Sequence, residues 1–321
     1  MRFSEIKGNV SEHLREEMNS SRVVHAYLFT GAKGTGKRTM LSICAQTLLC
    51  TEKDKPCGMC ASCIRFENGT HPDVITLTAD EGKKSISVQN VRDLIDKLSV
   101  KPYESTRHVV IVPQAEQLTT EAQNALLKTL ETPPGSDVFL MATSMLRQIL
   151  PTIISRSRVI RFGALNEDEA VAALQEKGIE TERAKLLSRL SQGCIGKALE
   201  INQSAAWWEL RDKVYKAVEQ LRDVRDVAPA CSILNDYKSD SGDILDMLEL
   251  LARDMMVAQT TDLFSGNIIQ TDKTDFISRQ TTSGMELLKS VIEARKMLNS
   301  NVAWQSVLEM LFFGIIRNRQ S

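Results

Sequence analysis

AYLFTGAKGTGKRTMLSICAQTLL, residues 26–49, decides the fold. A short apolar run ends in a glycine-rich loop, and a helical pattern follows from Lys37 to Leu49. Strand, loop and helix in that order form the setting of a phosphate-binding loop, where loop N–H groups and the helix N-terminus face an anion. The working pattern is G-x-x-x-x-G-K followed by Ser or Thr, whose hydroxyl ligates the Mg²⁺ of a bound nucleotide. Gly31, Gly34, Gly36 and Lys37 are in place, but Arg38 stands at the hydroxyl position. Thr39 comes one residue late, which on a helix turns its side chain about 100° away.

Outward from this stretch, apolar runs and helical patterns alternate. DVITLTA (73–79) precedes SVQNVRDLIDKLSV (87–100), whose Val88, Val91, Leu94, Ile95 and Leu98 share one face. HVVIV (108–112) is a continuous β-branched run, as in a strand buried on both faces. TTEAQNALLKTLE (119–131) reads as a helix closed by Pro133, Pro134 and Gly135, and VFLMAT (138–143) and RVIRF (158–162) as further strands. Five strands alternating with helices predict a parallel α/β sheet.

The texture changes after Phe162. NEDEAVAALQEKG, ERAKLLSRLSQG and IGKALEINQ read as three short helices between 166 and 203. From about 206 onward the pattern is helical, with polar breaks near 236–242 and 259–282. These shifts place boundaries near 164 and 205, giving segments 1–163, 164–205 and 206–321.

Bulk composition narrows the function. The chain has 321 residues, 25% charged and 42% hydrophobic, with a formal net charge of −1. No basic field covers the whole molecule, so nucleic-acid contact has to be a local patch or shared with partners. No apolar run approaches the roughly 20 residues that cross a bilayer. MRFSEIKGNV lacks the apolar centre of a signal peptide. The expectation is a cytoplasmic protein with no membrane association and with reduced thiols.

Of seven cysteines, Cys44, Cys194 and Cys231 stand alone, whereas Cys50, Cys57, Cys60 and Cys63 form C-x₆-C-x₂-C-x₂-C. Four soft thiolates at that spacing suit a closed, tetrahedral, structural Zn²⁺. Disulfides are the competing reading, and nothing else in the chain indicates secretion.

The combination of motifs carries a resemblance. HAYLFTGAKGTGKRT, the four-cysteine module after the first helix, THPDVITL, NALLKTLETPP and ILPTIISRS occur in that order. Together they resemble the bacterial DNA polymerase III clamp loader subunits, members of the AAA+ class. The resemblance runs through about residue 200. Beyond that the chain is similar only in being helical, with NVAWQSVLEMLFF (301–313) loosely similar to the closing helix of the family's collar domain. It implies a RecA-like parallel sheet with helices on both faces, a Cys₄ zinc module at 50–63, a small helical lid and an all-α collar for oligomerisation.

The family contains ATPase subunits (γ/τ) and a related non-motor type (δ′), and the chemistry of hydrolysis separates them. The family writes four apolar residues and then D-E-A at the end of the third strand, the Asp for Mg²⁺ and the Glu for the attacking water. Here VVIV is followed by Pro113, Gln114 and Ala115, so neither group is present; Glu116 reads as a solvated helix residue. The lid pattern G-S-x-R-x-A-L appears as Gly193-Cys194-Ile195-Gly196-Lys197-Ala198-Leu199, with Gly196 at the nucleotide-sensing arginine and Lys197 one residue off. Ser155-Arg156-Ser157 matches the family's S-R-C, whose arginine reaches a neighbour's ATP in trans. The competing reading of Arg156 is a surface arginine in a basic stretch with Arg158 and Arg161.

The resemblance therefore implies a non-hydrolysing δ′-like subunit of the DNA polymerase III holoenzyme. It would assemble with γ/τ and δ and reach the sliding clamp and primer-template DNA through the complex. The alternative is a γ/τ-like ATPase with divergent motifs. A zinc-ribbon nucleic-acid binder is a third reading, disfavoured by the near-zero net charge. ATP binding in cis stays open, since Lys37 and the glycine loop can cradle phosphates without Mg²⁺ whereas Arg38 either fills the pocket or pairs with them. His25 and His71 read as packing or capping residues, Trp207 and Trp208 as core or interface, and Met255, Met256, Met285, Met297 and Met310 as core.

Overall fold

The apolar runs pair into one parallel sheet because each is bounded by turn residues and joined to the next by a helix-length crossover. The computed structural model describes residues 9–20, 23–133, 135–260, 269–278 and 283–317. Packing divides the chain into two bodies, one running through Ala173 and including Gly193–Lys197, the other comprising Leu174–Gln192 and the chain from Ala198 onward.

In the first body, β1 (Ala26–Gly31), β2 (Val74–Thr76), β3 (Val109–Val112), β4 (Val138–Thr143) and β5 (Arg158–Phe162) form a sheet in the order β2-β3-β4-β1-β5. Every pairing is parallel. The strand that delivers the glycine-rich loop lies between β4 and β5. Successive residues point to opposite faces, so both faces carry a core. One packs Leu28, Val110, Val112, Phe139 and Met141 beneath α4 (Val88–Leu98) and α5 (Thr120–Glu131). The other packs Tyr27, Phe29, Val109 and Leu140 against α2 (Lys37–Leu49) and α1 (Asn9–Asn19). Caps fix the crossover helices: Ser87 and Asn90 form a reciprocal capping box on α4, and Thr119 Oγ1 accepts from Ala122 N on α5.

Two expectations shift. The strand expected over 73–79 shortens to Val74–Thr76; Leu77 N still donates to Ile111 O at 2.8 Å, after which the chain leaves the sheet. The short helix α3 (Ala61–Glu67) lies inside the cysteine module, where the alternation of thiols hides its periodicity.

Short helices α6 (Pro151–Ser155) and α7 (Glu167–Gln175) lead out of the sheet. In the second body, α8 (Thr181–Leu190) and most of α9 (Ile195–Gln203) accompany α10 (Ala205–Gln220), α11 (Val227–Leu234), α12 (Ser241–Thr260), α13 (Thr274–Ser278), α14 (Gly284–Asn299) and α15 (Trp304–Arg317). Val214, Leu248, Leu251, Val291, Leu308 and Phe312 centre its core. Met255 joins that core, but Met285 and Met310 are 49% and 53% exposed, correcting their assignment to it. Each lies two positions from a buried residue, Leu287 for one and Leu308 and Phe312 for the other, which on a helix points it away. Trp208 is structural: its Nε1 donates to Ile201 O at 2.9 Å and the Arg183 guanidinium covers its ring at 4.1 Å. Arg211, only 1% exposed, is held by Asp272 at 2.6 and 2.9 Å and by Gln270 Oε1 at 3.1 Å.

Candidate functional site

The glycine-rich loop keeps the shape its pattern predicts. A Cβ on Gly31 would lie 2.2 Å from Phe162 O, so only glycine lets β1 run that close to β5. Lys37, 6% exposed, turns back onto the loop and donates through Nζ to Gly31 O at 2.7 Å and Ala32 O at 2.6 Å. Burial draws its ammonium below the usual lysine range, partly offset by Glu116 and Cys194. Arg38 is exposed. With Pro113 and Gln114 it lines a cleft of about 670 Å³, which Thr76, Thr78, Phe66 and His71 also line. The positions that the resemblance assigns to the Mg²⁺ hydroxyl, the Mg²⁺ carboxylate and the general base therefore line one cleft, and they hold Arg38, Pro113 and Gln114.

Glu116 is not the solvated helix residue expected from sequence. It sits half-buried in a 3₁₀ turn at Ala115–Gln117, and its Oε1 accepts from Ser144 N at 3.3 Å. Its Oε2 is buried and meets no hydrogen-bond partner among the described residues. The tight turn after Gln114 swings it towards the loop, where its charge opposes that of Lys37. Nothing in the local pattern marks it, because the turn replaces the helical spacing that made it look solvated.

Gly196 packs directly on the glycine-rich loop. Its N–H donates to Gly34 O at 2.9 Å, and a Cβ there would lie 2.8 Å from Gly34 Cα. The contact is mutual, since a Cβ on Gly34 would meet Lys197 N at 2.8 Å. Backbone therefore occupies the space through which a side chain at 196 would start towards the loop.

Arg156 caps the C-terminal end of α6. Its Nη1 donates to Thr152 O at 3.1 Å and to Ser155 Oγ at 3.4 Å, and its Nη2 pairs with Glu131 Oε1. Arg158, by contrast, is tied at 2.8 Å to Glu17, which also accepts from Tyr27 OH.

The four clustered cysteines converge. Cys50 and Cys60 sulfurs are 3.9 Å apart, as are those of Cys57 and Cys63, and all four lie within 4.8 Å of one another. A Zn–S length of about 2.3 Å in a tetrahedron requires S···S edges of about 3.8 Å, so the donor set fits such an ion. All seven thiols are free, which removes the disulfide reading. Burial works against the Cys60 thiolate, but N–H groups of Cys63 and Thr51 and the neighbouring sulfurs bring its pKa down to about 6. Behind the cluster, Asp73 N donates to His71 Nδ1 at 3.2 Å, which leaves Nε2–H to donate to Ser62 Oγ at 3.0 Å. Burial keeps this ring neutral, so His71 is the packing residue expected of it.

A family model described as DNA polymerase III, delta subunit, matches residues 6–166. The chain is 30% identical to DNA polymerase III subunit delta′ of Bacillus subtilis over 96% of each chain. It belongs to the clamp loader family of DNA polymerase III subunits. Similarity extends to both branches. The delta′ subunit of Escherichia coli is 35% identical over 61% of this chain and 60% of its own. The tau subunit of Bacillus subtilis is 29% identical over 94% of this chain but 48% of its own. The parallel sheet with its glycine-rich loop and a largely helical remainder is the AAA+ architecture. Glu116, read from the sequence as solvated, and Glu131, not considered there, are the residues beside the candidate positions whose placement sequence reasoning missed.

Proposed function

We propose that this clamp loader subunit is the non-hydrolysing, δ′-like type, which supplies Arg156 to the ATP site of a neighbouring subunit. The observation that carries the reading is the single cleft shared by Arg38, Pro113 and Gln114. Hydrolysis in cis needs a hydroxyl, a metal carboxylate and a base at those positions, and the side chains there are a cation, a proline ring and an amide. Gly196 against Gly34 supports it from a second direction, because no sensing arginine fits at that contact. In this reading the loop is retained for its shape, so that the subunit still fits beside working ATPases, and nucleotide in cis is not required.

Arg156 is the functional group left over. A guanidinium supplied across a boundary stabilises charge developing on a transferred phosphoryl group, and such fingers are worth on the order of 10³–10⁵ in turnover. The partners are γ/τ and δ subunits, with the sliding clamp and primer-template DNA reached through the complex, in the bacterial cytoplasm. Cys50, Cys57, Cys60 and Cys63 hold one structural zinc that staples the insertion after α2. Functionally the chain divides into a AAA+ domain at 1–163, a lid at 164–205 and a collar at 206–321.

Reconstitution with γ/τ- and δ-type partners tests the reading. Arg156→Ala should assemble normally yet slow the one ATP site it faces, on the order of 10³-fold or more. Arg156→Lys should rescue poorly, since an ammonium lacks the planar fork that matches phosphate oxygens. Arg161→Ala is the control on the same exposed stretch; equal loss there would reduce the effect to general electrostatics and end the finger assignment.

A further inference from the structure

Arg156 does not stand alone: Glu131, 25 residues earlier, holds its guanidinium. Glu131 is the last residue of α5, where a carboxylate opposes the negative end of the helix dipole. Local helix stability therefore gives no reason for an acid there. Thr152 O and Ser155 Oγ fix Nη1, and Glu131 fixes Nη2, so the guanidinium plane is set by contacts from two different helices. Both side chains are partly in solvent, 35% exposed for Arg156 and 49% for Glu131. An ion pair at that exposure is weak. It can orient a guanidinium without withholding it from a stronger anion.

We propose that Glu131 is the positioning residue for Arg156, holding the guanidinium preset for a phosphate group presented by the neighbouring subunit. The inference rests on the trans-finger reading of Arg156 but concerns a residue that reading does not use. An unrestrained arginine must give up side-chain rotamer freedom when it engages the phosphate; one held by Glu131 as well as by Thr152 and Ser155 has lost part of it beforehand. Since small misplacements of a catalytic group cost large factors in rate, loss of Glu131 should lower turnover at that site without changing how ATP binds there.

The test has two arms. In the isolated full chain, phenylglyoxal condenses with accessible guanidinium groups, and peptide mass reads the rate at each arginine. Glu131→Gln and Glu131→Ala should speed modification of Arg156 severalfold, while Arg158, paired with Glu17, stays unchanged. In the reconstituted complex, both variants should lower kcat on the order of tenfold with KM for ATP unchanged, and Glu131→Asp should recover part of the loss. Added to Arg156→Ala, Glu131→Gln should cost nothing further, the non-additivity of two groups acting as one. Unchanged phenylglyoxal rates overturn the proposal. So does full turnover in Glu131→Gln when Arg156→Ala is slow, which leaves the finger intact without a positioning residue. If Arg156→Ala itself has no effect, the finger reading fails and this proposal fails with it, while the isolated-chain arm still reports whether the pair forms.

Discussion

At the scale of single residues, the degenerate site is decided by what backbone leaves room for. Gly196 is the second residue of α9, where alanine would ordinarily gain up to about 1 kcal/mol over glycine in helix propensity. Here the added Cβ would stand 2.8 Å from Gly34 Cα and 3.0 Å from Gly34 O, both backbone atoms with no rotamer to yield. Forcing atoms into such contacts costs about 1–3 kcal/mol, so the clash outweighs the propensity. Gly196→Ala is expected to lower the urea midpoint, and Gly196→Arg to lower it further; a raised midpoint for the alanine variant would show that the loop is not seated on α9. That 196 holds glycine where the resemblance implies an arginine was legible in the sequence, from the surrounding G-x-x-x-x-A-L spacing. The reason was not, because it depends on a contact between residues more than 160 positions apart. Glu116 and the Glu131–Arg156 pair escaped for related reasons: a 3₁₀ turn broke the periodicity that located the first, and no sequence spacing links the partners of the second.

At the scale of elements, the cysteine module is a loop with one short helix, and its apolar Met59 and Ile64 are exposed. Cys60 is the N-cap of α3 and Cys63 its third residue, with Cys60 Sγ accepting from Cys63 N at 3.4 Å, so the same sulfur caps the helix and faces the other thiols. A metal held by four thiolates contributes its binding free energy to folding of the segment it closes. Purified chain is expected to carry one zinc, and Cys60→Ser to lose it. The sheet lies outside the module and keeps its cores, so far-UV circular dichroism should change little while proteolysis within 51–60 accelerates. Metal-free protein whose four thiols all titrate readily under native reducing conditions would remove the zinc. The strands themselves were the most legible elements, since β1, β3 and β4 are nearly continuous apolar or β-branched runs with sharp ends. Short helices such as α3 and α13, at 7 and 5 residues, carry too few turns for a periodic signal.

For the whole molecule, the proposed non-hydrolysing role raises the question whether one repair would make an ATPase of a chain that is 29% identical, over 94% of its length, to the tau subunit of Bacillus subtilis. In the proposed reading the metal, base and sensor positions are spread over α2, the end of β3 and α9, and hydrolysis uses such groups as a unit, so restoring any one would leave the others empty. Arg38→Thr would return the Mg²⁺ hydroxyl but not the acid that holds the ion. Pro113→Asp with Gln114→Glu would return both carboxylates, yet Arg38 would keep its cation beside the place of the metal. Even with all three changed, Lys37 remains bonded to Gly31 O and Ala32 O, and α9 remains seated on Gly34 through Gly196. The isolated wild-type chain is therefore expected to hydrolyse ATP no faster than background, and each single or double reversion to do the same. Arg38→Thr combined with Pro113→Asp and Gln114→Glu should at most bind Mg²⁺–ATP, read as a gain in thermal stability with nucleotide, without turnover. Steady hydrolysis by the unmodified chain, abolished by Lys37→Ala, would overturn the δ′-like reading and place the protein among the γ/τ-type ATPases.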